Sequence, residues 1–86
     1  MKMEFYAIRN KRTGRWVYGT DYRYHPHRQR TSEARFIVYP TLEDAKVDFK
    51  IRQCGKAYQI CKLWAEVSEE PIDYHINSTL KRNFKP

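Results

Sequence analysis

Phe5-Tyr6-Ala7-Ile8, the break Lys11-Arg12-Thr13-Gly14 and the return Arg15-Trp16-Val17-Tyr18 leave this chain little choice at its start. Phe5, Tyr6 and Ile8 on one side of the break, and Trp16, Val17 and Tyr18 on the other, are aromatic or β-branched types that fit a pleated surface. Gly14 is free to take the positive φ that a tight turn needs. The pattern predicts a hairpin of two strands over residues 3–10 and 15–20.

Residues 21–34 have no apolar periodicity and are dense in Arg, His and Tyr, which reads as a long basic loop. Arg35-Phe36-Ile37-Val38-Tyr39 is a third strand, and Pro40 stops it. Thr41-Leu42-Glu43-Asp44 opens a helix: Thr41 can cap, and the acidic pair sits in the first turn, where the dipole favours negative charge. The helix should run to about residue 53, with Gly55 as its left-handed stop. Leu42, Ala45 and Phe49 form one apolar stripe, and Val47, Ile51 and Cys54 form a second. A helix on an open sheet needs only one, so the second calls for a tail, a partner or a second copy in a homodimer.

Residues 58–67 read as the last strand. Cys61, Leu63, Ala65 and Val67 alternate as a core face, leaving Tyr58, Ile60, Lys62, Trp64 and Glu66 as an amphipathic outer face. After Ser68-Glu69-Glu70-Pro71 the apolar residues are scattered. The economical reading is a tail, residues 71–86, that folds back over the second helix stripe; disorder from about residue 78 is the alternative. The order of elements is β-β-β-α-β: an α+β domain over residues 1–70, with a small antiparallel sheet, one helix packed across it and a C-terminal tail.

A chain of 86 residues makes one modest core and buries only about 60–65% of its unfolded surface, which leaves little space for a deep, walled active site. No apolar run reaches the length of a signal peptide or a membrane span, so the default compartment is the cytosol. In a reducing cytosol Cys54 and Cys61 are small core residues, and their spacing is not that of a redox or zinc pair. Pairing them with His25 and His27 as zinc ligands is disfavoured, because Pro26 separates the histidines and the cysteine spacing fits no common knuckle. No metal and no cofactor is expected.

Charge carries the functional signal. Seven of the nine arginines lie between residues 9 and 35. Residues 1–35 carry nine basic and three acidic side chains, residues 36–62 five and three, and residues 63–86 three and four, so the formal +7 sits almost wholly at the start. Arg9, Arg12, Arg15, Arg23, Arg28, Arg30 and Arg35, interleaved with Trp16 and Tyr18, are the candidate partner-binding residues. A guanidinium fork matches phosphate or carboxylate geometry, and a ring offers a stacking face. The plain alternative is a solvated surface with a few ion pairs to Glu33, Glu43 or Asp44. Lysine would serve solubility as well, yet this stretch uses only Lys11.

For catalysis the sequence offers no Ser-His-Asp order in a motif context, no phosphate loop and no recognisable metal triad. Phe5-Tyr6-Ala7-Ile8-Arg9-Asn10 through Gly14-Arg15-Trp16-Val17-Tyr18-Gly19 resembles the opening hairpin of GIY-YIG endonucleases. That resemblance implies Tyr6 as the first tyrosine, Arg23 or Arg28 as the arginine and Glu66 as the metal-holding glutamate. Glu4 stands where the family has Gly, Val17 holds the place of the second tyrosine, and the following helices are missing, so nuclease activity is rejected.

Gly14-Arg15-Trp16-Val17-Tyr18, Arg28-Gln29-Arg30, Phe36 and Thr41-Leu42-Glu43-Asp44-Ala45 are similar in layout to the arm-DNA-binding domains of tyrosine integrases. In that likeness Arg15, Trp16, Tyr18, Arg28 and Arg30 would face DNA. The whole pattern, from Phe5-Tyr6-Ala7-Ile8-Arg9-Asn10 through Tyr18-Gly19-Thr20-Asp21-Tyr22-Arg23 to Pro40-Thr41-Leu42-Glu43-Asp44-Ala45, also resembles small single-domain proteins of phages and prophages of Gram-positive bacteria. It implies a short binder in the host cytoplasm, often a counter-defence inhibitor of the anti-CRISPR kind. The expectation is a non-enzymatic binding protein. Its leading partner is a host protein with an acidic or nucleic-acid-binding surface, the alternative partner is DNA or RNA, and no membrane is involved.

Overall fold

The computed structural model describes residues 1–71. Its first two strands are the expected hairpin, β1 (Lys2–Asn10) and β2 (Trp16–Asp21). The turn is held by Asn10, whose side-chain Oδ1 accepts from the backbone N–H groups of Arg12 and Thr13, each at 2.9 Å. Gly14 takes the left-handed conformation with φ of 72°. The remaining elements are β3 (Arg28–Ser32), α1 (Leu42–Ile51) and β4 (Tyr58–Glu66), in a four-stranded antiparallel sheet of order β3-β2-β1-β4. The chain is an α+β domain of element order β-β-β-α-β. No described helix is long and apolar enough to cross a membrane.

The third strand is not where the apolar pattern placed it. Residues 28–32, expected as part of a loop, form β3, whereas residues 35–39 make one antiparallel bridge, Tyr6 with Tyr39, in which each backbone N–H donates to the other's carbonyl at 2.8 Å. On the other side Ile37 N donates to the Val17 carbonyl at 3.2 Å. This apolar segment therefore wedges between β1 and β2 where the hairpin splays apart. β3 was hidden because its helix-side residues are polar: Gln29 and Thr31 satisfy themselves by hydrogen bonds, so no alternation of apolar residues betrays the strand.

Cross-strand partners share a face of a sheet, so the register sorts the side chains. Ile8 opposite Ile60, Tyr6 opposite Lys62 and Val17 opposite Thr31 lie on the helix side. The core there joins Ile8, Val17, Tyr39, Ala45 and Cys54, with Tyr6, Ile37, Phe49, Tyr58 and Ile60 packed against it. This inverts the expected core face of β4. Cys61 and Leu63 lie on the opposite face, half-buried, and Ala65 is exposed. Both faces of β4 carry apolar residues, and only pairing with Ile8 decides which one meets the helix.

Thr41 caps α1 as expected, its Oγ1 accepting from Asp44 N at 3.1 Å. The helix ends at Ile51, two residues earlier than expected, because Gln53 is already left-handed at φ 52°, ahead of Gly55 at φ 73°. That early turn moves Cys54 off the second stripe and into the core. Val47 and Ile51 are 58% and 57% exposed among the described residues; the tail expected to cover them, residues 71–86, lies, beyond residue 71, outside the described residues.

Burial pushes the Cys54 thiol from its ordinary 9.0 up to about 11. A raised folded-state pKa means the unfolded chain releases the proton first, so this contribution to stability is intact below about pH 9 and lost as pH rises toward 11. Urea midpoints measured across that window should fall, and Cys54→Ala should flatten the fall; an unchanged slope would contradict the burial argument.

Candidate functional site

Odd-numbered residues of β1 face away from the helix, and so do their partners. Arg9 stands opposite Trp16 on one side and Gln59 on the other. Trp16 pairs with Ser32, Gly19 with Arg30 and Asp21 with Arg28. A bulge between Val17 and Gly19 leaves Tyr18 without a partner on β3 and returns Thr20, opposite Gln29, to the helix side. The outcome is one face that carries Arg9, Arg28 and Arg30 around Trp16. The Arg30 side chain lies over Gly19, where a Cβ would meet Arg30 Cδ at 3.8 Å.

Aromatic rings build the floor of this face. Trp16 and Phe36 pack with centroids 5.3 Å apart, and Phe36 stacks on Phe5 at 6.4 Å. Four arginines lie over rings: Arg28 and Arg23 over Tyr24 at 4.1 and 5.9 Å, Arg9 over Trp16 at 5.5 Å and, at the strand bulge, Arg35 over Tyr18 at 4.8 Å from guanidinium carbon to ring centroid. Arg9 Nε is buried with no hydrogen-bond partner among the described residues. These are cation–π distances, which favour a fixed guanidinium plane over a freely sweeping one.

The other candidates are placed differently. Arg12 is exposed in the β1–β2 turn. Arg15 turns to the helix side, where Nε meets Thr31 Oγ1 at 3.4 Å and Nη2 donates to the Thr31 carbonyl at 3.1 Å, with Glu33 at 3.7 Å. Arg23 grips Asp21 through two side-chain bonds of 2.9 and 2.7 Å. Hydrogen bonds from the Arg23 side chain and backbone hold the Asp21 carboxyl well below the usual carboxylate range, and Arg30 adds attraction. Arg9, Arg12, Arg28, Arg30 and Arg35 form no ion pair among the described residues. The arm-domain likeness thus has Trp16, Arg28 and Arg30 on one face, but Arg15 on the other.

Tyr22 and Tyr24, aromatic residues interleaved with the arginines of the basic loop, are structural parts of the hairpin tip. Tyr22 meets His27 edge-on at 4.8 Å, and His27 Nδ1 lies 2.8 Å from the Tyr24 carbonyl oxygen. A second feature lay beyond the sequence pattern. On the helix side, Tyr39 Oη donates to Asp48, Arg52 Nε donates to Asp48 Oδ2 at 2.6 Å and Arg52 Nη1 to Thr20 Oγ1 at 2.8 Å. Thr20 Oγ1 donates to Gln29 Oε1 at 2.6 Å, and Gln29 Nε2 to the Arg52 carbonyl at 2.7 Å. This chain of bonds fastens the β2–β3 hairpin, and with it Arg28 and Arg30, to the end of α1. The i,i+4 spacing of Asp48 and Arg52 was its only sequence signal.

The residues named by the endonuclease likeness are scattered. Tyr6 is on the helix side, bridged to Tyr39; Arg28 is on the opposite face; Glu66 is at the far end of β4, 3.4 Å from the N-terminal amine. Among the described residues no three His, Cys, Asp or Glu side chains converge as a metal site. Cys54 and Cys61 are free thiols. Comparison with family models, curated proteins and solved structures finds no match to this chain.

Proposed function

We propose that this chain is a small non-enzymatic binding protein that uses its arginine-bearing sheet face to engage an acidic surface. The leading partner is a host protein that handles nucleic acid, with this chain as a cytoplasmic phage-type inhibitor or modulator of the anti-CRISPR kind. The observation that carries the reading is the set of guanidiniums that have no carboxylate partner among the described residues, three of them held over rings. Clustered like charge repels itself, and a partner's negative surface relieves that repulsion. The phage setting comes from the overall likeness of the sequence; the acidic partner comes from the charge and its placement.

DNA or RNA is the second reading, favoured by the placement of Trp16, Arg28 and Arg30 on one face of a sheet. Fluorescence anisotropy with a random-sequence duplex at several salt concentrations separates the two. A duplex binder neutralising five or six phosphates loses affinity with a log–log slope of about −4.5 to −5.5. A protein interface that rests on a few desolvated anchors responds less. The expected result is weak duplex binding, with capture of an acidic host protein that fails when Arg28→Glu and Arg30→Glu are combined. A steep duplex slope with tight binding would put nucleic acid first.

Added Mg²⁺, Mn²⁺ or Zn²⁺ is expected to yield no cut DNA or RNA. Reproducible cleavage that disappears in Tyr6→Phe would overturn the non-enzymatic reading.

A further inference from the structure

Tyr24 is 41% exposed, yet Arg28 lies 4.1 Å from its ring centroid and Arg23 lies 5.9 Å from the same centroid. Tyr18 carries Arg35, and Trp16 is flanked by Arg9 and Phe36. A base stacks on a bare ring face, and each of these rings already holds a guanidinium on it or beside it, which a base would have to displace or share. The arginines, by contrast, keep donors to spare: Arg28, Arg30 and Arg35 are exposed and form no ion pair among the described residues. A guanidinium drawn onto a ring at such a distance is held in place while its N–H groups stay available to a partner. Those groups are the part that grips two oxygens at once.

We infer that Tyr24 is a positioning residue that holds Arg28 as a fork, and that the sheet face bearing Arg28 and Arg30 reads clustered carboxylates on an acidic protein. The inference rests on the acidic-surface reading above and adds the means of recognition. Recognition by fork geometry differs from recognition by charge in one respect. Lysine in place of arginine keeps the charge but has neither a plane to stack nor two parallel donors.

The test uses the full chain in anisotropy titrations against three labelled probes: poly-L-glutamate, poly(dT) and a random-sequence duplex. The variants are Tyr24→Phe, Tyr24→Leu and Arg28→Lys, with thermal midpoints recorded to exclude unfolding. Poly-L-glutamate affinity should stay within about twofold in Tyr24→Phe and fall roughly tenfold in Tyr24→Leu and in Arg28→Lys. The phenylalanine rescue separates ring stacking from any role of the hydroxyl. Poly-L-glutamate binding that survives both Arg28→Lys and Tyr24→Leu would overturn the inference and leave an acidic-surface binder that reads charge alone. Poly(dT) bound more tightly than poly-L-glutamate, with Tyr24→Leu harming poly(dT) most, would make the rings stacking platforms and overturn it in favour of a single strand. Tighter duplex binding would overturn it in favour of phosphate. No binding to any of the three probes would remove the acidic-surface reading and the inference together.

Discussion

Ile8→Ala is expected to destabilise the protein by about 3–4 kcal/mol, the usual cost of deleting a large aliphatic side chain from a packed interior. Ile8 is 1% exposed and stands opposite Ile60, in the cluster that joins β1, β2, α1 and the residues after it. Among the described residues the side chain lost is one of only two large ones that are fully buried, the other being Val17, so the surroundings have little apolar volume with which to close the cavity. Against a typical total of about 5–15 kcal/mol, that is a large share. In a domain this small each kcal/mol moves the thermal midpoint by about 4–8 °C, so a fall of roughly 12–30 °C should be measurable by circular dichroism. Ile51→Ala, on the outer stripe of α1, is the contrast, with an expected change within about 0.5 kcal/mol. If Ile51→Ala costs as much as Ile8→Ala, the outer stripe is covered in solution, by the remainder of the chain or by a second copy.

Local chemistry was legible wherever it acts on its own residues. The hairpin follows from strand types on both sides of Gly14, and the helix start follows from Thr41 ahead of Glu43 and Asp44. Both are interactions over a few residues, which a sequence displays directly. The errors share a different cause. β3 is built from Arg28, Gln29, Arg30, Thr31 and Ser32, and its inner side is made tolerable by Thr20, Arg15 and the Arg52 carbonyl, partners that are distant in the chain. The wedge at residues 36–39 reads as a strand from its apolar run, but its place depends on how far β1 and β2 diverge. The choice of inner face for β4 was likewise unreadable, because Tyr58 and Ile60 compete with Cys61 and Leu63.

The candidate site was legible as composition and not as arrangement. Counting arginines finds Arg9, Arg28 and Arg30, but only the register sets them on one face, and only the bulge at Tyr18 keeps that face continuous through Gly19. Arg15 and Arg23 belong to the same cluster in sequence yet are engaged elsewhere, with Thr31 and Glu33 or with Asp21. Tyr24 stands among the aromatic residues interleaved with the arginines, but only the folded loop sets Arg28 over its ring. The network that fixes the hairpin to α1 links residues 20, 29, 39, 48 and 52, a set with no motif.

Arg28→Glu combined with Arg30→Glu is expected to weaken partner binding by about 100-fold or more while moving the thermal midpoint by only a few degrees. The stability side follows from what these residues touch. Both are exposed and neither forms an ion pair among the described residues, so reversal leaves no stranded buried charge. The losses are the stack of Arg28 on Tyr24, worth about 0.5–1 kcal/mol at an exposed site, and the attraction of Arg30 for Asp21. The binding side is a swing of four charge units on one face, from attraction to repulsion against an acidic partner, and a factor of 100 requires only about 2.7 kcal/mol. Trp16→Ala is a poorer probe, because Trp16 also packs on Phe36 and supports Arg9, so its removal mixes folding with binding. Wild-type affinity that persists in the double reversal, with the fold intact, would reduce the arginine face to a solvated surface and remove the protein and the nucleic-acid readings at once.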